Sequence, residues 1–268
     1  MRSITHCGRN SNSKRSLIHN LLYNSGMSNP ESSLVAGAPS AGIITQTEKR
    51  RRWFEVGLVL IVAFGSSILY SLYRLINGPQ NDSPVSTLRW AALIVQEIST
   101  LLLLGYVLSR RALGFSSIGL RWSPMDVGAG TLLAIVSYVV YGFGYSFIRT
   151  FQHSMSGAGS TAKGVFGHPP VVIGMAFCLL NPFFEELVVR AYLMTEITEL
   201  TGSTVWAVIL SVVVQFSYHL YYGWAGAISL SFQFLVFALY YAYSRRALPV
   251  VLAHGFFDVY GMLRLLGS

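Results

Sequence analysis

Charge is scarce in this chain. Only 11% of its 268 residues are Asp, Glu, Lys or Arg, against roughly 25% in an average soluble domain, while 53% are hydrophobic. That balance excludes an ordinary water-soluble globule and points to a polytopic membrane protein. Acids are scarcer than bases, 11 against 19, for a net charge of +8. The bases lie mostly in the N-terminal tail and between apolar runs. No compact basic motif with interleaved aromatics occurs, so the excess reads as membrane topology and no nucleic-acid partner is expected. Cysteine is nearly missing. Cys7 sits in a polar tail and Cys178 in an apolar segment, so neither a disulfide framework nor a bridge between them is expected. There is no Gly-x-Ser-x-Gly elbow and no His-Glu-x-x-His, which disfavours a serine nucleophile and weakens a zinc reading. No internal repeat or heptad pattern is present.

Residues 1–52 are polar, rich in Ser, Asn and Gly, and are expected to form a disordered tail. No apolar run follows the first basic residues closely enough for a signal peptide. Met27 is a candidate true start, an expectation that finding Arg2 in the native N-terminal sequence would overturn. Lys49-Arg50-Arg51-Arg52 closes the tail beside the first span.

A membrane-crossing helix needs about 20 apolar residues. Seven runs qualify: Phe54–Leu75, Leu88–Leu108, Val127–Ile148, Val171–Met194, Thr204–Tyr222, Trp224–Tyr243 and Leu248–Leu266. The expected fold is all-α, a transmembrane helical bundle over 53–268. Polar connections separate the earlier spans, and the stretch Ser154–Thr161 has the Gly and Ser content of a flexible loop. With seven spans, Lys49 to Arg52, Arg110, Arg111, Arg121, Arg245 and Arg246 fall on one side. Arg74, Arg89, Arg149, Lys163 and Arg264 fall on the other. The richer side should be cytoplasmic, which places the N-terminus inside a plasma (inner) membrane.

Against this background the charges inside spans stand out. Asn181-Pro182-Phe183-Phe184-Glu185-Glu186 leads to Arg190 within the fourth run. A charge at the bilayer centre costs about 2.5–3.5 kcal/mol on insertion scales, so each needs a partner, a wet cavity or a task. Glu186 and Arg190 are four apart and can pair on one helix face. Glu185 is rotated about 100° from Glu186 and points elsewhere. Pro182 removes a backbone bond and can open room for water. The plainer reading is a structural ion pair with a spare acid.

His219 lies late in the fifth run. It is about 17 residues beyond the turn at Thr201-Gly202-Ser203, and Glu186 is about 16 before it, so both sit roughly 24 Å from that turn. Alone, such a histidine would be an interfacial hydrogen-bonder; the matched depth with Glu185 and Glu186 favours a shared site. His254 and Asp258 are four apart in the last run and can act on one target or satisfy each other. His254 is only about 9 residues past Arg245, roughly 13 Å, and fits that depth less neatly. Glu97, in the second run, reads as a packing residue hydrogen-bonded to another helix.

Carboxylates and imidazoles suit water activation: they take a proton from water and return it to a leaving amine, while others steady an oxyanion. The same set could ligate a divalent metal such as Zn that lowers the water's pKa. Whether there is no cofactor or one divalent metal stays open.

At these residues the chain resembles the CPBP family (CAAX protease and bacteriocin-processing, or Abi) of intramembrane proteases. Glu185, Glu186 and Arg190 match its Glu-Glu-x-x-x-Arg motif. His219 matches Phe-x-x-x-His except that Gln215 stands at the first position, with Phe216 one residue late. His254 and Asp258 match His-x-x-x-Asn/Asp. The resemblance covers roughly 171–266. It implies an endopeptidase, CAAX-protease-like, that hydrolyses a peptide or protein substrate, lipidated or not, in or near the bilayer. It also implies roles. Glu185 would activate water with His219, His254 and Asp258 would support the oxyanion, and Glu186 and Arg190 would organise the site or meet the substrate carboxylate. The competing reading is a non-catalytic scaffold or transporter that keeps these charges for folding or ion passage.

Overall fold

In hydrocarbon every backbone N–H and C=O must be satisfied inside its own segment, so long apolar runs become helices. The computed structural model describes residues 45–77, 86–152 and 169–267 and is helical nearly throughout, with no strand among the described residues. The helices are α1 (Gln46–Asn77), α2 (Thr87–Ser109), α3 (Met125–Gln152), α4 (Val171–Thr201), α5 (Thr204–Tyr218), α6 (Gly223–Ser244) and α7 (Leu248–Leu266). Six are long and apolar enough to cross a membrane, and α5 is a shorter apolar helix. The seven expected runs are therefore all helices in a multi-pass membrane protein. The tail before Thr45, with Cys7 and Met27, lies outside the described residues, as does the loop Ser154–Thr161.

Local chemistry sets the ends. Ser86 caps α2 and Ser203 caps α5, each side-chain oxygen accepting from a backbone N–H three residues on, at 3.3 Å. Gly202, at φ 72°, closes α4 in the left-handed region that glycine enters without penalty. Gly119, at φ 94°, is required twice over: an added Cβ would lie 2.4 Å from the Arg245 carbonyl oxygen. That close approach lets the Ala247 N–H bond the Gly119 carbonyl and ties the loop after α2 to the α6–α7 turn.

Two expected boundaries move. The charge pattern ends the tail at 52, yet α1 begins at Gln46. Its first turns are held by ion pairs: Arg52 reaches Glu196 at 2.8 Å and Glu199 at 2.5 Å, across the bundle. The fifth run, expected to reach Tyr222, stops as α-helix at Tyr218. A short 3-10 turn, Leu220–Tyr222, follows, and Gly223 at φ 80° reverses the chain into α6. Such irregular backbone inside a bundle is tolerated where it lines a cavity.

The core gathers around α4. Val188, Val189, Ala191 and Tyr192 have no exposed surface and pack with Val59 and Phe64 of α1, Leu104 of α2, and Phe237 of α6. Leu69 and Ile76 of α1, Leu102 of α2 and Phe143 of α3 face outward, as lipid-exposed side chains should. One end of the bundle collects the basic residues assigned above to the richer side: Arg52 and Arg111 share Glu196, and Arg246 forks onto Asp126. Arg89 and Tyr70 meet at the other end.

Candidate active site

From Glu186 to Met194, α4 widens from α to π-helical bonding, just after Pro182. A π segment turns side chains away from their α register and recurs at functional sites. Here it aims adjacent glutamates in different directions. Glu185 borders a cavity of about 500 Å³, while Glu186 points into the protein with no exposed surface.

Glu185 is held by α5. Its Oε2 accepts from the Tyr218 hydroxyl at 2.6 Å and from Gln215 Nε2 at 3.2 Å. No protein donor among the described residues takes Oε1. Tyr218 is itself fixed by a parallel stack on Phe64, centroids 4.4 Å apart. His219 follows at the end of α5, beside Tyr218. Its Nδ1 lies 2.9 Å from the Gln215 carbonyl oxygen. A carbonyl can only accept, so Nδ1 carries the proton and Nε2 keeps a lone pair. The equal depth expected of the glutamates and His219 is observed.

His254 of α7 joins the same site. Its Nδ1 donates to Glu186 Oε1 at 2.7 Å, and its Nε2 lies 3.5 Å from Asp258 Oδ1. The depth mismatch is absorbed, because α7 packs directly on α4. Asp258 Oδ2 accepts from Asn181 Nδ2 at 2.8 Å. Beneath them, Glu186 Oε2 is 3.4 Å from Arg190 Nε, and Arg190 lies over the Phe234 ring while donating to the Phe234 carbonyl at 3.2 Å. Burying three charges together demands such mutual compensation.

Glu185, His219, His254 and Asp258 all line the one cavity; Glu186 and Arg190 do not. A guanidinium with no exposed surface does not reach a substrate carboxylate, so of the two roles that the resemblance implied for Arg190 only the organising one fits. Glu97 is not bonded to another helix as a packing residue would be. It lines the cavity, 4% exposed, with no hydrogen-bond partner for Oε2 among the described residues. Sequence reasoning gave no role to Asn181 or Tyr218 and noted Gln215 only as a departure. Asn181 did carry a signal, since it stands one turn before Glu185 in an apolar run.

Among the described residues no three His, Cys, Asp or Glu side chains are grouped to hold an ion.

Residues 167–260 match the family model of the Rce1-like type II CAAX prenyl endopeptidases. This segment belongs to the CPBP family. No curated protein and no solved structure matches the chain. The CPBP segment contains Glu185, Glu186, Arg190, His219, His254 and Asp258, while Glu97 reaches the cavity from outside it. Its family is one of intramembrane proteases, and that agrees with the helical membrane fold around it.

Proposed function

We propose that the protein is an intramembrane endopeptidase that hydrolyses a peptide bond with water activated by Glu185 and His219. The observation that carries this is the convergence of carboxylates and imidazoles from three helices on one cavity walled by apolar side chains. Among the described residues, the protein's own hydrogen bonds leave Glu185 Oε1 and His219 Nε2 open as acceptors. Water between them loses a proton as its oxygen attacks the carbonyl carbon, and that proton returns to the departing amine. His254 stands between Glu186 and Asp258. With a carboxylate on either side the ring can carry both protons, and its Nε2–H faces the cavity as donor to the developing oxyanion. Arg190 offsets the charge of Glu186 and keeps it fixed under His254.

The substrate is a peptide or protein that enters from the membrane, lipidated or not. The end of the bundle rich in Arg and Lys faces the cytoplasm of a plasma (inner) membrane, with the N-terminus on that side. Labelling of single cysteines placed at Lys49 and at Arg149 reads this orientation.

The deciding experiment compares the purified chain with Glu185→Ala and His219→Ala on a peptide library. Each variant is expected to lose on the order of 10²-fold or more in kcat, the scale of a lost general base. Equal cleavage by all three would remove the mechanism and leave the scaffold or transporter reading.

A further inference from the structure

Three carboxyl side chains line the cavity, Glu97, Glu185 and Asp258. Two of them are met by donors. Glu185 accepts from Tyr218 and Gln215, and Asp258 accepts from Asn181 with His254 beside it. The third, Glu97, comes from α2, outside the CPBP segment. It is 4% exposed, and its Oε2 has no hydrogen-bond partner among the described residues. Glu97 interacts electrostatically with Glu185, Asp258 and His254, so it stands close to the proposed chemistry. The bases that line the cavity are engaged elsewhere. His219 is bonded to the Gln215 carbonyl and His254 to Glu186. Arg89 lies over the Tyr70 ring, eight positions before Glu97 and about 12 Å away along α2. Water activation and oxyanion support leave Glu97 without a task.

Hydrogen-bond donors favour a charged carboxylate, and burial without one favours the neutral acid. Carboxyls whose surroundings divide them in this way sort into base and acid. Peptide hydrolysis needs both. The amine leaves the tetrahedral intermediate only if its nitrogen gains a proton, because an amide anion is too basic to depart. We propose that Glu97 is the general acid, a neutral carboxyl that hands its proton to the leaving nitrogen. The Glu97 O–H bond and the scissile C–N bond break, an N–H bond forms, and the oxyanion's electron pair closes the new C=O. The proton that Glu185 and His219 took from water then restores Glu97, so the cycle balances without a co-reactant. The assignment rests on the peptidase reading and names the last station on the proton's way to the amine.

The test separates leaving groups. The peptide cut fastest in the library is compared with its thioester counterpart, in which sulfur replaces the scissile N–H. A thiol ionises near about pH 8.5, so a thiolate departs without help, whereas an amine does not. Glu97→Gln keeps the side chain's shape and removes its proton. It should lower kcat on the peptide by on the order of 10²-fold and leave thioester cleavage near the wild-type rate. Thioester cleavage in the same sample also shows that the variant is folded. An unchanged kcat on the peptide overturns the assignment. An equal fall on both substrates does so too, since that marks a structural role. Glu185→Ala, by contrast, should lose both substrates. If the wild-type chain cuts neither, or Glu185→Ala cuts both normally, the peptidase reading falls and takes the role of Glu97 with it.

Discussion

At the scale of single residues, the site depends on what holds Glu185. The CPBP pattern has phenylalanine where this chain has Gln215, and here that amide donates to Glu185 together with Tyr218. The departure adds a donor to the proposed base, so it bears on chemistry as well as packing. Tyr218→Phe removes one donor but keeps the ring stacked on Phe64. A hydrogen bond to a charged group contributes about 1.5–3 kcal/mol, so kcat should fall about tenfold or more. Thermal unfolding should move little, because the ring's packing is preserved. An unchanged kcat would show that Tyr218 does not orient Glu185. The same contrast explains what was legible at this scale. Glu185, Glu186, Arg190 and His254 declared themselves because charge is rare in these apolar runs. Tyr218 did not, and Asn181 signalled only by standing one turn before Glu185, since an uncharged polar residue is common in membrane helices and only its partner makes it special. Glu97 was seen but misjudged: its helix was legible, but not which way the residue faces.

At the scale of helices, α3 shows how closely these rods approach. Its Gly144 lies against α6, where an added Cβ would sit 2.5 Å from Phe232 Cδ2 and 2.8 Å from its Cγ. Small residues let membrane helices pack backbone to backbone, in the absence of a hydrophobic drive between them. Gly142, two residues earlier, has nothing within 4 Å of the same probe. Gly144→Ala should therefore lower stability by about 1–3 kcal/mol through overpacking. Gly142→Ala should leave it unchanged or raise it, because alanine loses less backbone freedom in a helix. Unfolding in detergent micelles ranks the pair, and equal Tm values would contradict the α3–α6 contact. The helices themselves were readable from hydropathy, since lipid leaves an apolar run little alternative to internal backbone bonding. Their ends were less so. α1 starts early because Arg52 finds acids on α4, and α5 stops early because the chain turns at Gly223 beside the cavity. Both causes lie in tertiary contacts that no local pattern carries.

At the scale of the whole molecule, the middle and the C-terminal end of α4 do different work. Glu185 faces the cavity, and Glu196, eleven positions on and about 16 Å along the axis, anchors the C-terminal end. Glu196, 3% exposed, accepts from Arg52 of α1 and from Arg111 of the loop after α2. Arg111 also pairs with Glu55, and Arg52 with Glu199. Burial lowers the Arg111 pKa, but the bond to Glu55 and the charge of Glu196 outweigh it, and the guanidinium is held above its ordinary value. The cluster therefore stays charged and clasps α1, α4 and the loop after α2 at the basic end. Removing its shared acid leaves two largely buried guanidiniums each with one partner fewer, and breaking a buried pair costs about 3–5 kcal/mol. Glu196→Met should cost that much, whereas Arg52→Met should cost less, because Glu196 keeps Arg111. Combining Arg52→Met with Glu196→Met should cost less than the sum, since both act on one network. Catalysis provides the control. Among the described residues that line the cavity none belongs to the clasp, so the folded fraction of each variant should cleave at the wild-type rate while Tm falls in the stated order. If Glu196→Met loses activity without losing stability, the clasp is coupled to the site and α4 does not hold its middle independently of its C-terminal end.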